Sequence, residues 1–135
     1  MVSISLTYEG DLHCEAVHDP SGAVLTTDAP KDNQGRGESF SPTDLVATAL
    51  GGCILTVMGI LARRLEVDIS GATAHVEKIM ATTPPRRIGD LRVKVQMPAG
   101  ISEETRKKLE RAAHTCPVHK SLHTDINAPI EFSWG

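Results

Sequence analysis

Residues 41–64 read SPTDLVATALGGCILTVMGILARR, and this stretch decides the fold. Ser41 is a good N-cap and Pro42 suits the first helical position. Asp44 stands where its carboxylate can return to the cap amide and meet the positive end of the helix dipole, a variant of the capping box. Phe40 and Leu45 occupy the two positions of a hydrophobic staple. The pattern predicts a helix running to about Arg64, ~35 Å at 1.5 Å per residue. It is apolar nearly all round, so it is expected to be buried on most sides. Ala47, Gly51, Gly52 and Gly59 offer small surfaces, and each glycine costs up to about 1 kcal/mol relative to alanine. Close packing of a second helix is the simplest compensation. One subunit of 135 residues has little material to enclose such a helix, so a homodimer sharing one core is expected.

Working outward, Val2, Ile4, Leu6 and Tyr8 alternate with Ser3, Ser5 and Thr7, the pattern of a half-buried strand. Leu12, Cys14 and Ala16 continue the alternation after a turn at residues 9–11. Asp19-Pro20-Ser21-Gly22 is a second turn, and Ala23 to Thr27 a third strand. Residues 28–39 are polar and contain Gly35 and Gly37, a loop. Beyond the helix, Gly71 to Met80 and Ile88 to Met97 read as a strand pair joined by the proline-rich Thr82–Arg87 connection. Ser102 caps an amphipathic helix to Thr115, with Glu103 and Glu104 at its start and Arg111 and His114 at its end. A helical turn from Pro117 to Leu122 follows, and Ile130, Phe132 and Trp134 mark a final strand. The order β-β-β-α-β-β-α-α-β is an α+β arrangement, read as one domain over 1–135.

The net charge of −3 shows no basic surplus, and aromatic residues make up 3% of the chain. Nucleic acid is therefore an unexpected partner, because both a cationic surface and stacking platforms are missing. The uncharged stretch 45–62 only just reaches the ~17 residues of a short membrane span. Its glycines and threonines, and the lack of basic anchors before it, argue against insertion. The N-terminal residues show no secretory pattern, so three cysteines are expected as free thiols in a reducing cytoplasm.

Cys53 lies inside the long helix and Cys116 opens the segment CPVHKSL. Such thiols suit a redox couple, in which a thiolate reduces an oxidant and a disulfide forms. Cys53 is ~16 Å from the helix N-terminus, beyond the reach of the dipole, so a reactive Cys53 requires a cation from elsewhere in the fold. Cys116 falls at a helix start, where free amides favour a negative sulfur. Both thiols also read as small hydrophobic fillers, as does Cys14. His114, Cys116, His119 and His123 form a run with ligand-like spacing, which leaves a metal-binding module open as a further reading.

SPTDLVATALGGC and CPVHKSL, with the Pro84-Pro85-Arg86-Arg87-Ile88 connection and the segment 102–122, resemble the OsmC/Ohr superfamily of osmotically inducible and organic hydroperoxide resistance proteins. The nearest likeness is to its small OsmC-like branch. The resemblance implies an intertwined homodimer whose two long central helices are wrapped by sheets from both subunits. It also implies a cysteine-based peroxidase. Cys53 would attack an organic hydroperoxide to give a sulfenic acid and an alcohol. Cys116 would then resolve it as a Cys53–Cys116 disulfide, to be reduced by a dithiol of lipoyl type.

Relatives of this kind carry an active-site arginine and a glutamate. The arginine position matches Arg36, before which the chain has no other arginine, and the glutamate position falls on Thr43. Asp44 and Glu38 are the candidates to replace that carboxylate. The expected site is thus Cys53, Cys116 and Arg36, supported by Glu38, Thr43 and Asp44, with no cofactor or metal. Its expected substrate pocket is lined by Ile54, Val57 and Met58. A thiol redox or sulfur-handling protein with weak peroxidase activity is the alternative that the Thr43 departure leaves open.

Overall fold

The computed structural model describes residues 1–135, which group into two compact units, Met1–Val46 and Ala47–Gly135. In the first, strands β1 (Ile4–Gly10), β2 (His13–His18) and β3 (Val24–Asp28) form an antiparallel meander in that order. Gly10 pairs with His13, which leaves Asp11 and Leu12 as a two-residue loop. Such a loop needs positive φ at both positions, and they adopt 52° and 59°. Leu12 therefore sits in the turn and not on the strand where its alternation placed it. The alternation of β1 itself is present, but the expected half-burial is not. Ile4, Leu6 and Tyr8 are 57%, 65% and 63% exposed, because no element of this chain covers their face.

The long helix α1 (Pro42–Arg64) starts as its sequence dictates. The Ser41 amide donates to Asp44 Oδ2 at 2.9 Å, and the Asp44 amide donates to Ser41 Oγ at 3.1 Å. The capping box thus satisfies two amides that a helix start would otherwise leave unpaired. Phe40 remains largely exposed, so the staple adds little.

In the second unit, β4 (Thr73–Met80) and β5 (Ile88–Met97) pair antiparallel, and β6 (Ile130–Trp134) adds parallel to β5. Leu91, Val93, Val95 and Met97 alternate inward along β5 and are essentially inaccessible. Leu50, Ile54 and Met58, at helical spacing on α1, are fully buried, and Ala47 and Ala62 nearly so. Gly51 lets the helix lie close on β4: a Cβ there would stand 3.0 Å from Val76 Cγ2 and 3.7 Å from the Ala74 Cβ. The amphipathic α2 (Glu103–Ala113), capped by Ser102, buries Leu109 and Ala113 and ends two residues earlier than expected. The single-turn α3 (Pro117–Ser121) follows.

Burial of α1 on most sides is not what the chain achieves. Thr48, Ala49, Gly52, Thr56 and Ile60 are exposed, so the helix hides one stripe and presents another. By length and composition α1 would also suit a membrane span, with a mean hydropathy of 2.2 over its most apolar window.

Gly51→Leu should lift α1 from β4 and lower stability by about 1–3 kcal/mol, the usual range for overpacking. Urea denaturation followed by circular dichroism measures it, and an unchanged midpoint would contradict the close helix–sheet contact.

Candidate active site: a pair of thiols

Cys53 lies in the interior of α1 and Cys116 is the N-cap of α3. Both belong to the second unit, where the two free thiols are close enough for Cys53 to influence the ionisation of Cys116. Cys53 is half-buried and Cys116 has no exposed surface. The helix start does what its sequence implies, because the His119 amide donates to Cys116 Sγ at 3.4 Å. It does not make Cys116 the thiolate, however. Burial pushes its pKa above the ordinary thiol value, the hydrogen bond to Cys53 pushes in the same direction, and the His119 and Val118 amides recover only part. Burial therefore favours the neutral form of Cys116.

The histidine run does not assemble a metal centre. No three His, Cys, Asp or Glu side chains gather at a geometry able to hold an ion. The His119 ring Nε2 pairs with the Ala128 carbonyl at 3.2 Å. His114 meets the rings of His119 and Phe132 edge-on, each at 6.4 Å between centroids. His114 and His119 thus meet as rings across the helix break without presenting a shared set of ligands.

Ile54 and Met58 have no accessible surface, since the stripe they occupy is the one buried in the core, whereas Val57 is partly accessible. One turn beyond Cys53 it opens a cleft of about 350 Å³ between α1 and α2, with Ile60, Leu61, Ala112 and Thr115 on its walls and Arg64, Lys108 and Arg111 among its lining. Neither cysteine lines this cleft, although Val57 lies one turn beyond Cys53 and Thr115 immediately precedes Cys116.

Arg36 belongs to the first unit. Its loop folds back so tightly that a Cβ on Gly35 would fall 1.7 Å from the Ala29 carbonyl oxygen, and Gly37 takes a φ of 61°. Arg36 Nη2 lies 3.6 Å from Oδ1 of Asp28, a carboxylate only 2% exposed at the end of β3. His13 Nδ1, opposite Asp28 in the strand register, meets the same oxygen at 2.6 Å. The His13 hydrogen bond, followed by the charges of His13 and Arg36 and the Glu38 amide, outweighs burial and holds the Asp28 carboxyl below the usual range.

The candidates to replace the missing glutamate are engaged differently. Asp44 caps Ser41, and Thr43 Oγ1 is 3.2 Å from the Ser41 hydroxyl. Glu38 gives its backbone amide to Asp28 while the residue itself stays exposed. The carboxylate on Arg36 is therefore Asp28, which the sequence reading passed over. The one signal was a charged residue closing an otherwise uncharged strand opposite a histidine.

The chain belongs to the family of OsmC-like proteins, whose family model matches residues 35–131. A Psychrobacter arcticus protein, described as an osmotic stress induced and detoxification response protein, has a crystal structure that superposes with a TM-score of 0.93. It is 45% identical, over 98% of this chain and 96% of that one. An organic hydroperoxide resistance protein of Elizabethkingia anophelis shares the fold with a TM-score of 0.80 at 15% identity, over 100% of this chain and 96% of that chain. An uncharacterised protein of Acinetobacter baylyi is 28% identical over 130 residues, 88% of this chain and 90% of that protein. The α+β fold expected from the sequence is the one these structures share.

A thiol whose folded pKa is raised stabilises the fold while it keeps its proton. That contribution is fully present below the unfolded thiol value of about 8.5 and is lost as pH rises through the folded value. Reduced protein should therefore lose stability between pH 8 and 10 (approximate limits set by the same thiol range), and Cys116→Ser should flatten the decline. Denaturation midpoints across that range in the presence of a phosphine reductant provide the check.

Proposed function

We propose that this protein is a cysteine-dependent peroxidase that reduces organic hydroperoxides. The Cys53 thiolate attacks the terminal peroxide oxygen, the O–O bond breaks, and ROH leaves after taking up a proton. Cys53 is then a sulfenic acid. The Cys116 thiol attacks that sulfur, a disulfide forms, and the hydroxyl departs as water. An external dithiol of lipoyl type reduces the disulfide by exchange and is itself oxidised.

One observation carries this reading: the two free thiols are close enough to interact, one half-buried and the other with no exposed surface and its pKa pushed up by burial. A sulfenic acid formed on Cys53 would have its resolving partner nearby. The apolar floor of the neighbouring cleft supports an organic substrate over hydrogen peroxide.

The active form in this proposal is a cytoplasmic homodimer. The exposed Ile60 on α1 and the uncovered β1 face, with Ile4, Leu6 and Tyr8, support the dimer. Arg36 is assigned, on the family resemblance, as the cation that stabilises the Cys53 thiolate from the partner copy. A second reading, a thiol redox or sulfur-handling protein with weak peroxidase activity, draws on Thr43 standing where a carboxylate is expected.

Steady-state consumption of cumene hydroperoxide and of hydrogen peroxide, with dihydrolipoamide as electron donor, distinguishes the two readings. Efficient turnover of cumene hydroperoxide is expected, and a rate near background would favour the second. Cys53→Ser should abolish turnover. Cys116→Ser should accumulate a Cys53 sulfenic acid that dimedone traps, and sustained turnover by that variant would contradict a resolving role.

A further inference from the structure

We propose that Asp28 and His13 are positioning residues that hold Arg36 for its work on the Cys53 thiolate. The proposal rests on the assignment of Arg36 made above. Its evidence is a built network within the first unit. The Asp28 side chain is 2% exposed, which is rare for a carboxylate without full pairing. Groups from different segments converge on it: the His13 ring from β2 at 2.6 Å, the Arg36 guanidinium at 3.6 Å, and the Glu38 amide from the loop. Glu9, at the end of β1, lies 3.6 Å from the other ring nitrogen of His13. The imidazole is thus held between two carboxylates, and it in turn pins the Asp28 oxygen that faces Arg36.

The loop has little freedom to take up slack. Gly35 is packed against the Ala29 carbonyl, the Gly35 amide donates to the Pro30 carbonyl at 2.9 Å, and the Gly37 amide donates to the Ala29 carbonyl at 3.3 Å. The guanidinium itself is 47% exposed, and an exposed arginine side chain samples many rotamers. A fixed buried anion is what restricts it.

The sign of the effect separates positioning from a simple field. An anion acting on Cys53 through space alone opposes thiolate formation, so neutralising it would ease ionisation. An anion that positions the required cation does the opposite, and its loss makes ionisation harder.

The test follows alkylation of Cys53 by iodoacetamide against pH, by peptide mass spectrometry on the reduced full-length protein. Arg36→Ala is expected to move the midpoint upward. Asp28→Asn should move it in the same direction, with a loss in rate at pH 7 of up to about tenfold, the equivalent of one pKa unit. The double variant should show no loss beyond that of Arg36→Ala. His13→Ala should behave like Asp28→Asn, whereas His13→Asn, which restores a donor near the Nδ1 position, should recover the wild-type profile.

If Arg36→Ala shifts the profile and Asp28→Asn leaves it unchanged or lowers the midpoint, the positioning role is overturned while the arginine assignment stands. Additive losses in the double variant also overturn it. If Arg36→Ala has no effect, both the assignment and the positioning role fall. Should Asp28→Asn not fold, the contrast between His13→Ala and His13→Asn decides the same question.

Discussion

Two neighbouring thiols, one of them shut away from water, constrain the chemistry of this molecule. Ionising Cys116 would place a charge where solvent cannot reach it, and the two amides that approach its sulfur do not offset that loss. Burial therefore favours the neutral Cys116 thiol. This asymmetry needs no cofactor and no large movement. It follows from where α1 and the break before α3 place the two cysteines, one half-buried and the other without exposed surface.

That meeting depends on the way α1 lies on its sheet. Gly51 removes the side chain that would otherwise stand between helix and strand, and Leu50, Ile54 and Met58 fill the core beside it. Cys53 lies just off this stripe, half-buried, on the side where the cleft of Val57, Ile60 and Leu61 begins. The other face of the helix and the apolar side of β1 remain open to solvent in a single chain. Apolar area of this kind is normally covered in the working assembly, which is why the proposed enzyme is a dimer.

The first unit solves a different problem, that of holding a cation on a loop. Glycine is required at position 35 because any side chain would collide with the Ala29 carbonyl, and at position 37 because φ is positive there. Between them Arg36 faces a buried carboxylate already occupied by a histidine. A loop this closely tied to its own strand presents its arginine in a restricted way, where an unpaired arginine on a free loop would be spread over many conformations.

Much of this was legible along the chain. Local rules suffice for the α1 cap, because Ser41, Pro42 and Asp44 act on amides within one helical turn. The strand and helix order followed from alternation and helical spacing, and the two cysteine motifs pointed to the family. What the sequence could not determine depends on groups distant in the chain. Alternation marked the apolar face of β1 but not whether anything covers it. Helical apolarity did not say which stripe of α1 meets the sheet, so Ile54 and Met58 were read as pocket residues when they are core. The charge state of Cys116 turned on burial against its amide bonds, a balance that only packing settles. Asp28 was passed over for Asp44 and Glu38 because proximity in sequence favoured those two, whereas the strand register placed Asp28 beside His13 and within reach of Arg36.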